Sequence, residues 1–482
     1  MMKSRVRRIC AYFLSTLLIL AAGSLTAQES PEPAAGDEAP QFGFGVNLGL
    51  GVRTFRNPEF PDDPDASEFI TWQSLQLNPD IAFGKLGVGL DLTLNYTFTG
   101  GEFGDEFTVR AEDWIPDDDT NFFELYLPKI RYVRWARKGD PLFLLFGQID
   151  GAVLGNAFIV GGYTNTRFLP ERPIFGAQVD VDGSLFSFPY LGVETFVSNV
   201  AAFDLFGSRL YVRPLADLDV PLLPALEVGT TVVTDRDPWY FERRDPDSDL
   251  HESTETTSPV TIWGLDLRQP VLNTPVLSLA LFSDVVNQNN NWGSMVGFGG
   301  RTLGFLSFGA QARFLGENFI PSYFDGSYDL FRRSRYEVYR GNATVESYVG
   351  WLASLGFSFL QDQLVFSASM EGPFEAPITD VDGDGRPTPQ ALARNPILRG
   401  SFLIGDGVIP GITVGANYEK RNLQTIGDVI SPEDAVIGAR INYRTGPAVI
   451  SLTYDLTYDP NPPADRSPWQ INSGLETSIA LF

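Results

Sequence analysis

The chain reads as all-β: a single large antiparallel transmembrane β-barrel of about twenty strands (range about sixteen to twenty-two), with short periplasmic turns and long acidic extracellular loops. Three observations point there. The stretch 85–99 keeps a strict period of two. Its large residues (Leu86, Val88, Leu90, Leu92, Leu94, Tyr96, Phe98) fall on one face, and Gly87, Gly89, Asp91, Thr93, Asn95 and Thr97 on the other. Successive strand side chains leave on opposite faces, so one side of this ribbon is apolar throughout and the other small and polar. Connections between such stretches alternate between a few residues and a dozen or more. No segment of helical period competes, and no later apolar run reaches the length of a membrane helix.

Taken in order, the chain opens with residues 1–27, which have the form of a secretory signal: a basic start (Lys3, Arg5, Arg7, Arg8), an apolar run from Ile9 to Ala22, and Ala27 at the cleavage point. The only cysteine, Cys10, lies inside this segment, so the processed chain has no disulfide framework. Residues 28–40 are a Pro/Glu/Ala/Gly lead, taken as flexible, and 41–482 form the barrel. Removing four basic residues leaves 31 against 60 acidic ones, a net charge of −29. That excludes a nucleic-acid partner, since phosphate binding depends on Lys and Arg.

The alternation places strands at 41–54, 70–83, 85–99, 120–137, 141–150, 176–183, 184–199, 204–213, 223–235, 260–270, 276–286, 293–303, 304–316, 343–359, 362–371, 396–404, 411–421, 434–444, 447–458 and 469–482. Pro128 breaks the phase of its strand and marks a bulge. Short connections such as Gly84-Lys85, Asp182-Gly183 and Gln361-Asp362-Gln363 alternate with long ones rich in Asp, Glu and Pro (55–69, 100–119, 151–175, 236–259, 317–342, 372–395, 422–433, 459–468). Sorting turns to one rim and acidic loops to the other is the organisation of a membrane barrel, and a soluble sandwich has no reason for it. The one exception is the connection at 200–203.

Phe482, at the end of the last strand, resembles the C-terminal aromatic signal of bacterial outer-membrane proteins. The pattern departs from theirs, because positions counted back in twos are Ala480, Ser478 and Glu476. The resemblance implies the cell outer membrane as location, its lipid and the barrel-assembly machinery as partners, and a porin-like use. Oligomeric state stays open.

Four groups of residues carry candidate chemistry. On the inward phase lie the acids Asp91, Glu194, Glu227, Asp266, Glu419, Asp455 and Glu476, and the bases Arg209, Arg213, Arg268, Arg313, Arg440 and Arg444. Charge there implies water in the lumen. These groups either line a pore and set its selectivity, or form structural ion pairs such as Arg440 or Arg444 with Glu419 and Asp455. The loop Gly151 to Pro173 is Gly-rich and apolar with a basic end. Folded inward it would narrow the channel and present Tyr163, Asn165, Arg167, Glu171 and Arg172 to solute; otherwise it is an outer hairpin or an oligomer contact. Asp380, Asp382 and Asp384 match the first half of a calcium loop, but position twelve is Ala391 instead of Glu, so calcium is at most a loop stabiliser and any acidic turn has this look. His251 is the only histidine, which leaves no Ser-His-Asp triad or multi-His metal site to build. No other cofactor motif occurs.

The residues therefore point away from an enzyme and toward passive diffusion of small hydrophilic solutes. The rivals are a substrate-specific transporter or receptor for fatty acids or oligosaccharides, using the apolar loop as a binding element, and a surface adhesin using the acidic loops.

Overall fold

The computed structural model describes residues 42–57, 67–99, 106–116, 120–169, 171–245, 248–251, 253–383, 387–458 and 467–480. The expected signal and lead, Asp384 and Phe482 lie outside them. Twenty antiparallel strands close into one ring. They are β1 (Phe42–Arg56), β2 (Phe69–Phe83), β3 (Leu86–Leu90, continued by Leu92–Thr99), β4 (Glu106–Val109 and, after an excursion, Ile130–Trp135), β5 (Leu142–Gly147), β6 (Gly176–Asp182) and β7 (Leu191–Val197). There follow β8 (Leu205–Val212), β9 (Glu227–Asp235), β10 (Val260–Asn273), β11 (Leu277–Gln288), β12 (Asn291–Thr302), β13 (Leu306–Leu315) and β14 (Tyr348–Phe359). The last six are β15 (Leu364–Pro373), β16 (Ile397–Ile409), β17 (Ile412–Lys420), β18 (Ala435–Thr445), β19 (Ala448–Tyr458) and β20 (Trp469–Ala480). Each strand pairs with its sequence neighbours, and β1 pairs with β20 (Leu48 opposite Ile479, Gly51 opposite Glu476), so no wall edge is left between first and last strand.

The greasy face of each ribbon points out. In β10, Leu265 is 55% exposed while the adjacent Asp266 is 5% exposed. The same sorting puts Leu210, Val296, Phe314, Leu452 and Leu475 on the exterior. A large apolar exterior around a polar interior is stable only in lipid.

Local chemistry overrides the alternation in three places. Residues 120–129 form a helix, α1 (Phe122–Tyr126), followed by a 3₁₀ turn Leu127–Lys129, and not the first half of a strand. Asn121 and Glu124 make a reciprocal capping box that satisfies the free N–H groups of a helix start, and Pro128 sits in the first turn of the 3₁₀ segment instead of a bulge. The Asp182-Gly183 turn is longer than expected: the Asp182 carboxylate accepts from the Ser184 N–H and starts a 3₁₀ turn, which Ser187 ends at a φ of 59°, so β7 begins only at Leu191. Conversely, no loop joins β11 and β12. Asn289 and Asn290 both have positive φ (48° and 67°), the geometry of a two-residue hairpin turn that Asn tolerates.

The interior is partly filled. The loop after β5 carries the short strands Ala152–Val153 and Val160–Tyr163; the loop after β13 carries Phe324–Asp325, which joins them in a three-stranded sheet, and helix α2 (Arg332–Arg340). Leu154, Phe158 and Ile159 belong to one buried cluster with the wall residues Phe196, Val233, Ile262 and Leu315, and Phe158 stacks on Phe319 at 5.6 Å. Both loops are therefore folded into the barrel.

Substituting Leu265→Arg, which puts a cation against acyl chains, is expected to cost about 2–4 kcal/mol near mid-membrane. Asn417→Arg, on the inward phase of β17, is expected to fold like the parent. Reversible folding into lipid vesicles, followed by the shift in unheated gel migration, measures both; equal tolerance at the two positions would contradict the assignment of faces.

Candidate functional site

The infolded loops are fastened by buried charge, and the charges come from the inward phase of the wall. The Arg209 guanidinium lies 2.6 Å from Asp266, 3.2 Å from Glu194 and 3.7 Å from Glu227. Gly229 makes room for this cluster, since a Cβ there would stand 2.4 Å from the Asp266 carboxylate. Gly155, at a φ of +56°, brings its own N–H to Glu194 at 3.1 Å, and Asn156 donates to Asp284 at 2.8 Å. Arg213 bridges Asp182 (2.7 Å) and Glu227 (2.9 Å). Glu194, Arg209, Arg213, Glu227 and Asp266 are thus brought together, paired with one another and, through Glu194, with the loop.

A second knot holds the other loop. Asp325 receives the guanidinium groups of Arg335 (2.7 Å), Arg421 (2.7 Å) and Arg399 (2.9 Å). Arg399 also reaches Glu371, which holds Arg313 in turn, while Glu419 binds Arg399 at 3.1 Å and Arg421 at 2.6 Å. Arg332 pins α2 to the wall through Asp204 (2.8 Å) and Asp235 (2.6 Å). Sequence reasoning found Arg313 and Glu419 but not Glu371 and Arg399, although both lie on the inward phase of their strands. Arg332 and Arg335, three apart on one helix face, were legible only once that loop was known to be helical.

The two loops meet where the Tyr163 hydroxyl donates to Asp329 at 3.0 Å. Tyr163 and Asn165 are each 1% exposed. Asn165 accepts from the Ile149 N–H (2.8 Å) and donates to the Ser198 carbonyl (2.9 Å). Both hold the loop in place and neither faces solute, contrary to the sequence expectation. Arg167 is half-buried and donates to the Gly326 carbonyl at 2.5 Å, and Arg172 donates to the Arg244 carbonyl at 2.9 Å, beside half-buried Glu171. The loop crosses to the far wall, where Asn472 of β20 donates to the Leu169 carbonyl at 3.2 Å.

The remaining charges are scattered over the rest of the wall and the loops. Asp91 accepts from Thr93 at 2.5 Å. Arg444 pairs with Asp406 at 3.1 Å near the turn rim, and not with Glu419 or Asp455. Glu476 is half-buried; Arg268, Arg440 and Asp455 point inward yet are exposed to solvent. Asp380 spends one carboxylate oxygen on the Thr388 hydroxyl (2.6 Å) and its carbonyl on the Thr388 N–H (3.1 Å), closing a small hairpin bridged between Val381 and Pro387, with Asp382 next to the bridge. His251 is half-buried in the loop after β9.

Burial pushes Asp329 up to about 7, with Arg332 opposing and Asp204 and Asp235 adding to the rise. Asp325 is buried as well, but Arg335, Arg421 and Arg399 hold it far below the usual carboxylate range.

No protein-family model and no curated protein matches the chain. Among solved structures, OpdQ of Pseudomonas aeruginosa is similar at 10% identity over 91% of this chain and 98% of its own, with a TM-score of 0.32. A BenF-like porin from Pseudomonas fluorescens Pf-5 is 12% identical over 91% and 98%, with a TM-score of 0.34. Wzi of Escherichia coli, an outer-membrane carbohydrate-binding β-barrel involved in capsule assembly, is 12% identical over 90% and 84%, with a TM-score of 0.35. At these values the likeness adds nothing to the barrel that the strand register already defines.

Because the Asp329 carboxyl keeps its proton in the fold up to about pH 7 and loses it near pH 4 when unfolded, its stabilising share is fully present below about pH 4 and is lost as pH rises through 7. Amides of residues 316–347 are expected to lose protection from hydrogen exchange, beyond the intrinsic rate change, between pH 6 and 8. Asp329→Asn should flatten that dependence; an unchanged slope would remove the assignment.

Proposed function

We propose that the protein is an outer-membrane channel through which small hydrophilic solutes diffuse, narrowed by its two infolded loops. The observation that carries this reading is the state of the wall they leave uncovered. Asn47, Ser401, Asn417, Arg440 and Asp455 all lie on the inward phase and all are exposed to water. They belong to β16, β17, β18, β19 and β1, at different heights. A column of water therefore runs past the plug on that side, lined by amides, hydroxyls and charges of both signs. Such a lining favours polar solutes without a strong preference for either sign of ion.

The apolar side chains of the first infolded loop are spent on packing: Leu154, Phe158 and Ile159 are at most 4% exposed. This supports a sieve over a binding element for fatty acids. Calcium at Asp380 and Asp382 plays no part in this reading.

Planar-bilayer recording of the refolded chain is expected to give a steady conductance. Arg332→Ala leaves Asp204 and Asp235 buried without their cation, a loss of about 3–5 kcal/mol. It should free α2 and raise the mean conductance or its noise. Replacing residues 152–162 by two glycines should widen the passage directly. A barrel that stays silent in the parent form and in both variants would end the channel reading.

A further inference from the structure

We propose that the outer surface of the barrel carries a binding site for the anionic headgroup of a lipid, centred on Arg236. The site is a cavity of ≈ 330 Å³ beneath α1, between the β7–β8 connection (198–204) and the segment that follows β9. Its polar lining comes from Asn121, Glu124, Asp204, Arg236, Asp237, Tyr240 and Arg244. Its floor is Ala201, Ala202 and Phe203.

Two features place the mouth on the outside. Along β9 the inward residues end at Asp235, which is fully buried against Arg332, so the next residue, Arg236, leaves on the opposite side, and it is exposed. Phe203 is 43% exposed, and its ring lies 4.8 Å from that of Phe206, an outward residue of β8. Together with exposed Val200, these rings form an apolar shelf immediately below the polar cavity. On its other side α1 offers Phe122 and Phe123 to the surroundings. An apolar shelf under a polar recess is the shape of an amphiphile bound with its chains down and its head up.

The acids around the cavity are already engaged by other arginines. Asp204, at the back of the cavity, is held at 2.8 Å by Arg332, which it shares with Asp235. Asp237 is held by Arg243 at 2.7 Å. Glu124 accepts from the Tyr240 hydroxyl at 2.8 Å and has Arg244 at 3.7 Å, and the Arg244 guanidinium lies over the Tyr240 ring. Of the two cations that line the cavity, Arg236 is the one without an ion-pair partner among the described residues. Its backbone N–H bonds the Asp204 carbonyl, and its guanidinium makes no ion pair or hydrogen bond with any described residue. A lone cation at the edge of an apolar belt reaches for phosphate, and the cavity has room for a phosphate with its glycerol. The site depends on the barrel sitting in a membrane and is independent of whether its lumen conducts.

Native mass spectrometry of the full chain in neutral detergent tests this, with phosphatidylglycerol and phosphatidylcholine of matched acyl chains as probes. The parent is expected to retain one phosphatidylglycerol in preference to phosphatidylcholine by about fivefold, the effect of one basic group at a membrane surface. Arg236→Ala should abolish the preference, Arg236→Lys should keep most of it, and Phe203→Ala should weaken retention of both lipids. Excess inorganic phosphate should leave the lipid bound. Equal preference in the parent and Arg236→Ala, or displacement of the lipid by phosphate alone, would overturn the proposal; the second result would mark a free-anion site.

Discussion

Acyl chains offer no hydrogen-bond partner, and that one fact governs the structure. Every N–H and C=O in the wall must be answered by a neighbouring strand, so an open sheet edge in the membrane is forbidden and the ribbon has to close. The pairing of β1 with β20 meets this requirement. Outward side chains are then confined to the apolar and small, and everything polar is driven to the inner face. The fold is thus fixed from its solvent, with little help from any central core.

Closure at twenty strands has a second consequence. A ring this wide encloses more space than wall side chains can fill, unlike an eight-stranded barrel. Here the space is occupied by chain from the loops, and the joint between loop and wall is ionic and aromatic. That choice follows from what the wall presents inward: Asp235, Asp266, Glu371 and Glu419 are already there because lipid excludes them. Guanidinium groups suit such a joint, since each can satisfy two or three carboxylates at once, as Arg209, Arg399 and Arg332 do. Breaking a buried pair is far more costly than never having made it, so the plug is held cooperatively.

The wall was largely legible from the chain alone, because a period of two maps directly onto lipid and lumen. The strand number followed from counting, and the infolded loop after β5 stood out by its Gly-rich apolar composition. What escaped were features where a few local hydrogen bonds outweigh periodicity: the capping box at Asn121 and Glu124, the Asp182 cap, and the Asn289–Asn290 turn. The second infolded loop escaped for a different reason. Residues 317–342 look like any polar rim loop, and only the three-dimensional placement of Asp204 and Asp235 reveals why Arg332 sits there. Tyr163 and Asn165 were misread because a residue on a constricting loop can serve the loop's attachment as readily as its open face.

The seam between β1 and β20 joins segments separated by nearly the whole chain length. Contacts of that order form late, because closing so long a loop costs entropy before any reward arrives. Synthesis and export therefore deliver a polypeptide whose ends cannot yet meet and whose greasy ribbons have nowhere to go. Its excess of negative charge keeps copies apart during that interval. A nascent or truncated form lacking the last strand would be left as an aggregation-prone sheet with two unsatisfied borders, so quality control of this protein amounts to a test of whether the ring has shut.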